Sequence, residues 1–210
     1  LRKRAANDAT PIVVNGVVGP AGDGYAPDAL WSPVDAEVLH AKQIMWMAEE
    51  GVDMITAVTF THTGEAIGLV RAARKAGLPV VVSFTVETDG RLPTGQTLGE
   101  AIAETDAATN GGPDYYMVNC AHPDHFSGVI AAGDDWRDRI DGVRANASRM
   151  SHAELDEAEE LDAGNPGEFG TLHVDLRAVL PNLRVIGGCC GTDTRHIHSV
   201  SGCVHHGAAA

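Results

Sequence analysis

The sequence predicts a parallel α/β barrel of which six strands are present. Three observations carry this expectation. Six apolar, β-branched runs read as strands covered on both faces, helical stretches fill the gaps between them, and three of the four cysteines fall at the carboxyl ends of two of those runs. Sulfurs placed that way converge only if the two strands lie side by side or nearly so, as they do in a parallel barrel. A complete (β/α)8 barrel takes about 250 residues and eight strands. This chain has 210 residues, so the expected fold is an incomplete TIM-type barrel spanning residues 1–210 as one domain.

The first strand is expected over residues 11–18, followed by a helix over 34–50 whose apolar positions Val38, Ile44, Met45 and Ala48 close at Gly51. A second strand over 53–60 leads into a helix over 63–76, stopped by Gly77 and Pro79. A third strand over 79–86 precedes a helix over 98–109, which ends in the breaker Asn110-Gly111-Gly112-Pro113. The fourth strand, 114–119, runs straight into Cys120, and the fifth covers 142–147. Residues 148–170 differ: they hold Glu154, Asp156, Glu157, Glu159, Glu160 and Asp162 with few large apolar residues. They read as a long solvated loop with a helical turn or two. A helix over 172–180 ends at Pro181-Asn182, and the sixth strand, 183–188, delivers the last cysteines.

That delivery is the run Gly187-Gly188-Cys189-Cys190-Gly191-Thr192. Neighbouring side chains normally diverge, and aiming two at one point needs backbone torsions that glycine reaches cheaply. Thiolates are preferred soft ligands for zinc, and three protein ligands with one open position mark a catalytic rather than a closed structural site. Cys120, Cys189 and Cys190 are therefore the expected zinc ligands, with a purely structural staple as the alternative. An adjacent-cysteine bridge would be strained, and Cys203 has no evident partner. No secretory signal follows the basic start Leu1-Arg2-Lys3-Arg4, so the thiols are expected to be reduced and the protein cytoplasmic. Among ten histidines, His196, His198, His205 and His206 read as surface residues, the last two in a frayed tail. His122 reads as a loop residue beside Pro123.

The glycine-flanked cysteine pair together with Asn119-Cys120 resembles the signature of the homocysteine S-methyltransferase family, with support from Gly16-Val17-Val18-Gly19-Pro20 and Val82-Ser83-Phe84. The resemblance covers about residues 12–198. It implies zinc-dependent methyl transfer from a cationic or otherwise activated donor to the thiolate of homocysteine, giving methionine. A free thiol of pKa about 8.5 is only about 3% ionised at neutral pH, so a bound Zn2+ that deprotonates it matters. The resemblance also implies that the first two βα units are missing and that residues 1–9 are the tail of the second helix. The family's amino-group-binding glutamate falls at Val58 here. Glu87 is the candidate replacement, with Asn119 and Asn146 as further substrate-binding candidates. The alternative is a non-catalytic remnant that keeps zinc or thiol binding alone.

Composition narrows the partners. A net charge of −14 argues against nucleic acid and anionic membrane surfaces. No run approaches the roughly 20 apolar residues that span a bilayer. The expected partners are small molecules, homocysteine and a methyl donor. A barrel lacking two strands would also leave open edges and an apolar interior, so self-association is expected.

Overall fold

The computed structural model describes residues 11–25 and 30–206; the helix tail expected over 1–9 lies outside them. Six strands form one sheet: β1 (Asn15–Val18), β2 (Met54–Phe60), β3 (Val80–Phe84), β4 (Tyr115–Asn119), β5 (Ile140–Ala145) and β6 (Val185–Gly188). They pair in chain order, every pair parallel. Sequential parallel pairing curls the sheet in one direction, and the result is a half-barrel with β1 and β6 as open edges. The parallel α/β architecture is thus the one the hydrophobic runs predict.

The helices are α1 (Pro33–Glu49), α2 (Thr63–Lys75), α3 (Leu98–Thr109), α4 (Pro123–Ala131), α5 (His152–Glu157), α6 (Pro166–Val179) and α7 (Thr194–His206). Local chemistry sets their ends. Thr97 and Glu100 form a reciprocal capping box at the start of α3, and Asn110 closes it in a left-handed conformation. Ser32 caps α1, with Pro33 in the first turn.

The core lies between the convex face of the sheet and the helices. Ile55, Ala57, Val80, Val82, Phe84, Tyr116, Val118 and Val143 from the strands meet Ile44, Leu69, Ile102, Phe126, Ile130 and Leu176 from the helices, all fully or almost fully buried. The concave face is not the apolar interior expected from the sequence: Asn15, Thr56, Ser83, Asn119 and Arg144 interrupt it. Asn15 and Thr56 pair with each other across β1 and β2, Nδ2 donating to Oγ1 at 2.8 Å.

Several boundaries differ from expectation, each for a local reason. Only Asn15–Val18 of the first run enters the ladder, because among the described residues no strand pairs with the other side of this edge and Pro11 has no amide proton. The fifth strand starts two residues earlier, at Ile140, and Asn146 leaves it to bond Ala121 instead. Helix α4 is not among the helices expected from the sequence; His122, expected in a loop, is its N-cap, its ring accepting the Asp124 amide at 3.2 Å, with Pro123 preorganising the first turn. The expected long loop contains α5, started by a Ser151/Glu154 capping box, and α6 begins at Pro166 under an Asn165 cap. Helix α7 runs through His206, so the expected frayed tail is its last turn. His196 is fully buried rather than on the surface. It bridges Asp193 (3.1 Å) and the Ala163 carbonyl (2.8 Å).

Candidate metal centre

The end of β5 is the platform on which two cysteine segments meet. From one side, β4 stops at Asn119 and Cys120 adopts a left-handed φ of 55°, its amide still held by the Arg144 carbonyl at 3.1 Å. From the other side, Cys189 donates its amide to Ala145 at 2.7 Å, and the Cys190 carbonyl accepts from Ala147 at 3.0 Å. Gly191 makes the turn beyond, with φ of 76° and the Asp162 carbonyl 2.7 Å from where a Cβ would sit. Cys120 and Cys189 thus meet over the intervening strand.

The three Sγ atoms of Cys120, Cys189 and Cys190 lie within 4.8 Å of one another. Two thiolates on one tetrahedral zinc, with bonds of about 2.3 Å, are about 3.8 Å apart. The donor set and its convergence suit that ion. The structure corrects one expectation: Cys120 and Cys189 are joined as a disulfide, with Cα atoms 5.5 Å apart, while Cys190 and Cys203 are free. The convergence that suits a metal also brings two sulfurs within bonding reach. A bridged pair offers no thiolate, so metal binding requires the reduced chain.

Asn146 ties the two segments together. Its Nδ2 donates to the Cys120 carbonyl at 3.0 Å and its Oδ1 accepts the Cys190 amide at 3.1 Å. Asn119 braces the strands beneath: its Oδ1 accepts from the Thr59 amide (2.9 Å) and the Ser83 hydroxyl (2.5 Å), and its Nδ2 donates to Thr59 Oγ1 (2.8 Å). Both amides are largely committed to the scaffold. Val58, on β2, contributes no charge.

Glu87 lines a small pocket with Cys120 and Asn146, and it is not alone there. His152 Nδ1 meets Glu87 Oε1 at 2.9 Å, and His152 Nε2 meets the Cys120 carbonyl at 2.7 Å. A carbonyl only accepts, so Nε2 carries a proton. Tyr25 packs against His152 with ring centroids 4.1 Å apart and the planes tilted by 31°, and brings its hydroxyl to 4.0 Å from Cys190 Sγ. Burial first, then the Cys190 sulfur, push the Tyr25 hydroxyl above its ordinary range, which keeps it protonated. Burial lowers the pKa of nearby His122 to about 4.

The sequence reading missed His152 and Tyr25. The Ser151-to-Glu154 capping signature could have placed a helix start, and hence His152, near the site; Tyr25 carries no such local signal. A cavity of about 210 Å³ opens beside Cys190, lined by Tyr25, His152, Leu155, Leu161 and Asp162 among others.

The sequence matches the family model described as homocysteine S-methyltransferase over residues 1–204. It is 28% identical over 185 residues to a methionine synthase of Mycobacterium leprae, covering 79% of this chain and 14% of that protein. It is 25% identical over 222 residues to betaine–homocysteine S-methyltransferase 1 of Rattus norvegicus, covering 96% of this chain and 51% of the relative. The chain thus spans about half of one of these curated relatives and a smaller share of the other. In fold it is similar to the metallated form of the homocysteine methyltransferase MmuM from Escherichia coli, with a TM-score of 0.71, 18% identity, and coverage of 96% and 65% of the two chains. The oxidized form of the same protein gives a TM-score of 0.70.

Proposed function

The chain belongs to the homocysteine S-methyltransferase family, and on that premise we propose that it carries zinc-dependent methyl transfer to the thiolate of homocysteine. The observation that carries this reading is the convergence of three sulfurs within 4.8 Å at the carboxyl mouth of a parallel half-barrel. Cys120, Cys189 and Cys190 would hold the zinc, which when bound supplies a Lewis acid that keeps an acceptor sulfur ionised at neutral pH. The acceptor sulfur attacks the donor's methyl carbon, an S–C bond forms, and the electron pair of the breaking bond leaves with the donor's heteroatom. A cationic or otherwise activated donor suits this step, because a positive leaving centre becomes neutral as the methyl moves.

Around that step the chain's own residues do the positioning. Asn146 and Asn119 hold the ligand segments in register, and any contact they make to substrate comes from the amide capacity left over. Glu87, with one oxygen committed to His152, offers the other to the substrate's ammonium group in place of the charge absent at Val58. Tyr25 sets its hydroxyl beside Cys190, 4.0 Å from the sulfur, which stays open to a substrate. We further propose that residues 1–210 are one homocysteine-binding domain whose strands correspond to the last six of an eight-stranded barrel. Its setting would be the reducing cytoplasm. The unpaired edges β1 and β6 would recruit a second chain, which sedimentation velocity at two concentrations would detect as a concentration-dependent shift.

The test is an assay of reduced, zinc-loaded protein with homocysteine and betaine or another methylated onium donor. Methionine formation that depends on Cys190 supports the reading. Tight zinc binding with no methyl transfer from any such donor would favour the alternative, a zinc-binding remnant of the same fold.

A further inference from the structure

Arg144 carries a full charge and has no role among those assigned above. It is the penultimate residue of β5, paired in register with Asn119 on one side and Gly187 on the other. Side chains in register on parallel strands share a face, so Arg144 stands on the concave face with the inward-facing Asn119. Its chain lies across Gly187, with Nε 3.9 Å from where a Cβ of that residue would stand. Gly187 is two residues before Cys189, so the guanidinium side chain sits against the segment that delivers the thiols.

The charge is uncommitted. Among the described residues the Arg144 side chain makes no hydrogen bond, ion pair or cation–π contact, whereas Arg139, Arg149, Arg184 and Arg195 each hold a carboxylate. It lines a cavity of about 260 Å³ on the concave face, with Asn15, Thr56, Met117, Val185 and Gly187 among its walls. Glu87, which shares a pocket with Cys120, is held by His152, and Val58 and Asn119 add no charge. No carboxylate lines the Arg144 cavity, and Arg144 is its one charged wall residue. A planar guanidinium with five donors is the side chain best shaped for a carboxylate.

We propose that Arg144 binds the α-carboxylate of the acceptor thiol amino acid, fixing which end of the molecule points into the barrel while its sulfur reaches the cysteine cluster. This rests on the acceptor-thiol reading above and adds to it the residue that selects an acceptor with a carboxylate. It makes Arg144 a binding residue, with no role in holding the metal.

The test is calorimetric titration of reduced, zinc-loaded protein with three thiols: homocysteine, sulfanylbutanoate, which lacks the amino group, and aminopropanethiol, which lacks the carboxylate. Arg144→Gln should weaken homocysteine and sulfanylbutanoate equally, by roughly ten- to a hundredfold as for a lost charge-assisted hydrogen bond, and leave aminopropanethiol unchanged. Arg144→Lys should restore part of the loss. Equal weakening of all three thiols, or of none, would overturn the assignment while leaving the acceptor-thiol reading intact. Failure of the unaltered protein to bind any of the three would instead overturn that reading, and this inference with it.

Discussion

Thr59 and Cys120 face each other in the same uncommon backbone conformation. Thr59 has φ of 61° and Cys120 φ of 55°, and the Thr59 hydroxyl lies 3.7 Å from Cys120 Sγ. A β-branched residue in the left-handed region is a conformational outlier that costs on the order of 1–3 kcal/mol and persists where surrounding contacts enforce it. Here Asn119 supplies those contacts, accepting the Thr59 amide and donating to its hydroxyl. The strain sits where β2 irregularly shifts register against β3, between Ala57 and Phe60.

Removing that hydroxyl while keeping the branched shape isolates its role. Thr59→Val leaves Asn119 Nδ2 without its acceptor and should cost about 1–3 kcal/mol. Urea denaturation would measure it; an unchanged midpoint would mean that the bracket contributes nothing to the fold.

Zinc should bind at close to one equivalent per reduced chain and should be absent from chains oxidised at Cys120–Cys189. Serine at Cys189 or Cys190 should abolish binding, and serine at Cys203, which lies on α7 away from the cluster, should not. Asn146→Ala, which unties both cysteine segments, should weaken zinc by roughly ten- to a hundredfold. Metal analysis after chelator competition reads all of these. Full zinc content in both the Cys189 and Cys190 variants would refute the site.

Glu87→Gln should weaken homocysteine by roughly ten- to a hundredfold if its free oxygen holds the ammonium group, as expected for one charge-assisted hydrogen bond. Zinc content should stay the same. Unchanged affinity would place the ammonium group elsewhere.

His173 on α6 gives the fold a pH dependence remote from the thiols. It is fully buried, its Nδ1 donates to the Phe169 carbonyl at 2.8 Å, and burial pushes its imidazole below the ordinary value. The unfolded chain protonates this group near pH 6.5 while the folded chain resists, so unfolding takes up a proton there. Stability is fully present above that pH and falls as pH drops below it; His62, pushed the same way by burial, adds to the slope. His173→Leu should flatten the acid side of the stability profile measured by thermal melts between pH 7 and 5. An unaltered slope would show that His173 is protonated in the folded state.

The alternation of parallel strands and helices is legible in the residues, because strands buried on both faces must be apolar along their whole length, and Val80–Phe84 and Tyr115–Asn119 are nearly so. The cysteine cluster is legible there as well, since Cys120 and Cys189 each follow directly on a strand whose direction fixes where the next residue emerges. The tertiary structure alone decided what surrounds the cluster. His152 comes from an acidic stretch with no hydrophobic period to announce it, and it meets Glu87 only because α5 folds back over the mouth of the barrel. His196 looks like a surface residue until Asp193 and the Ala163 carbonyl supply partners for both its ring nitrogens. Arg144 occupies an ordinary strand position, and only curling the sheet turns its side chain inward beside Asn119. Periodicity records which face a residue takes, but partners distant in sequence decide what that face meets.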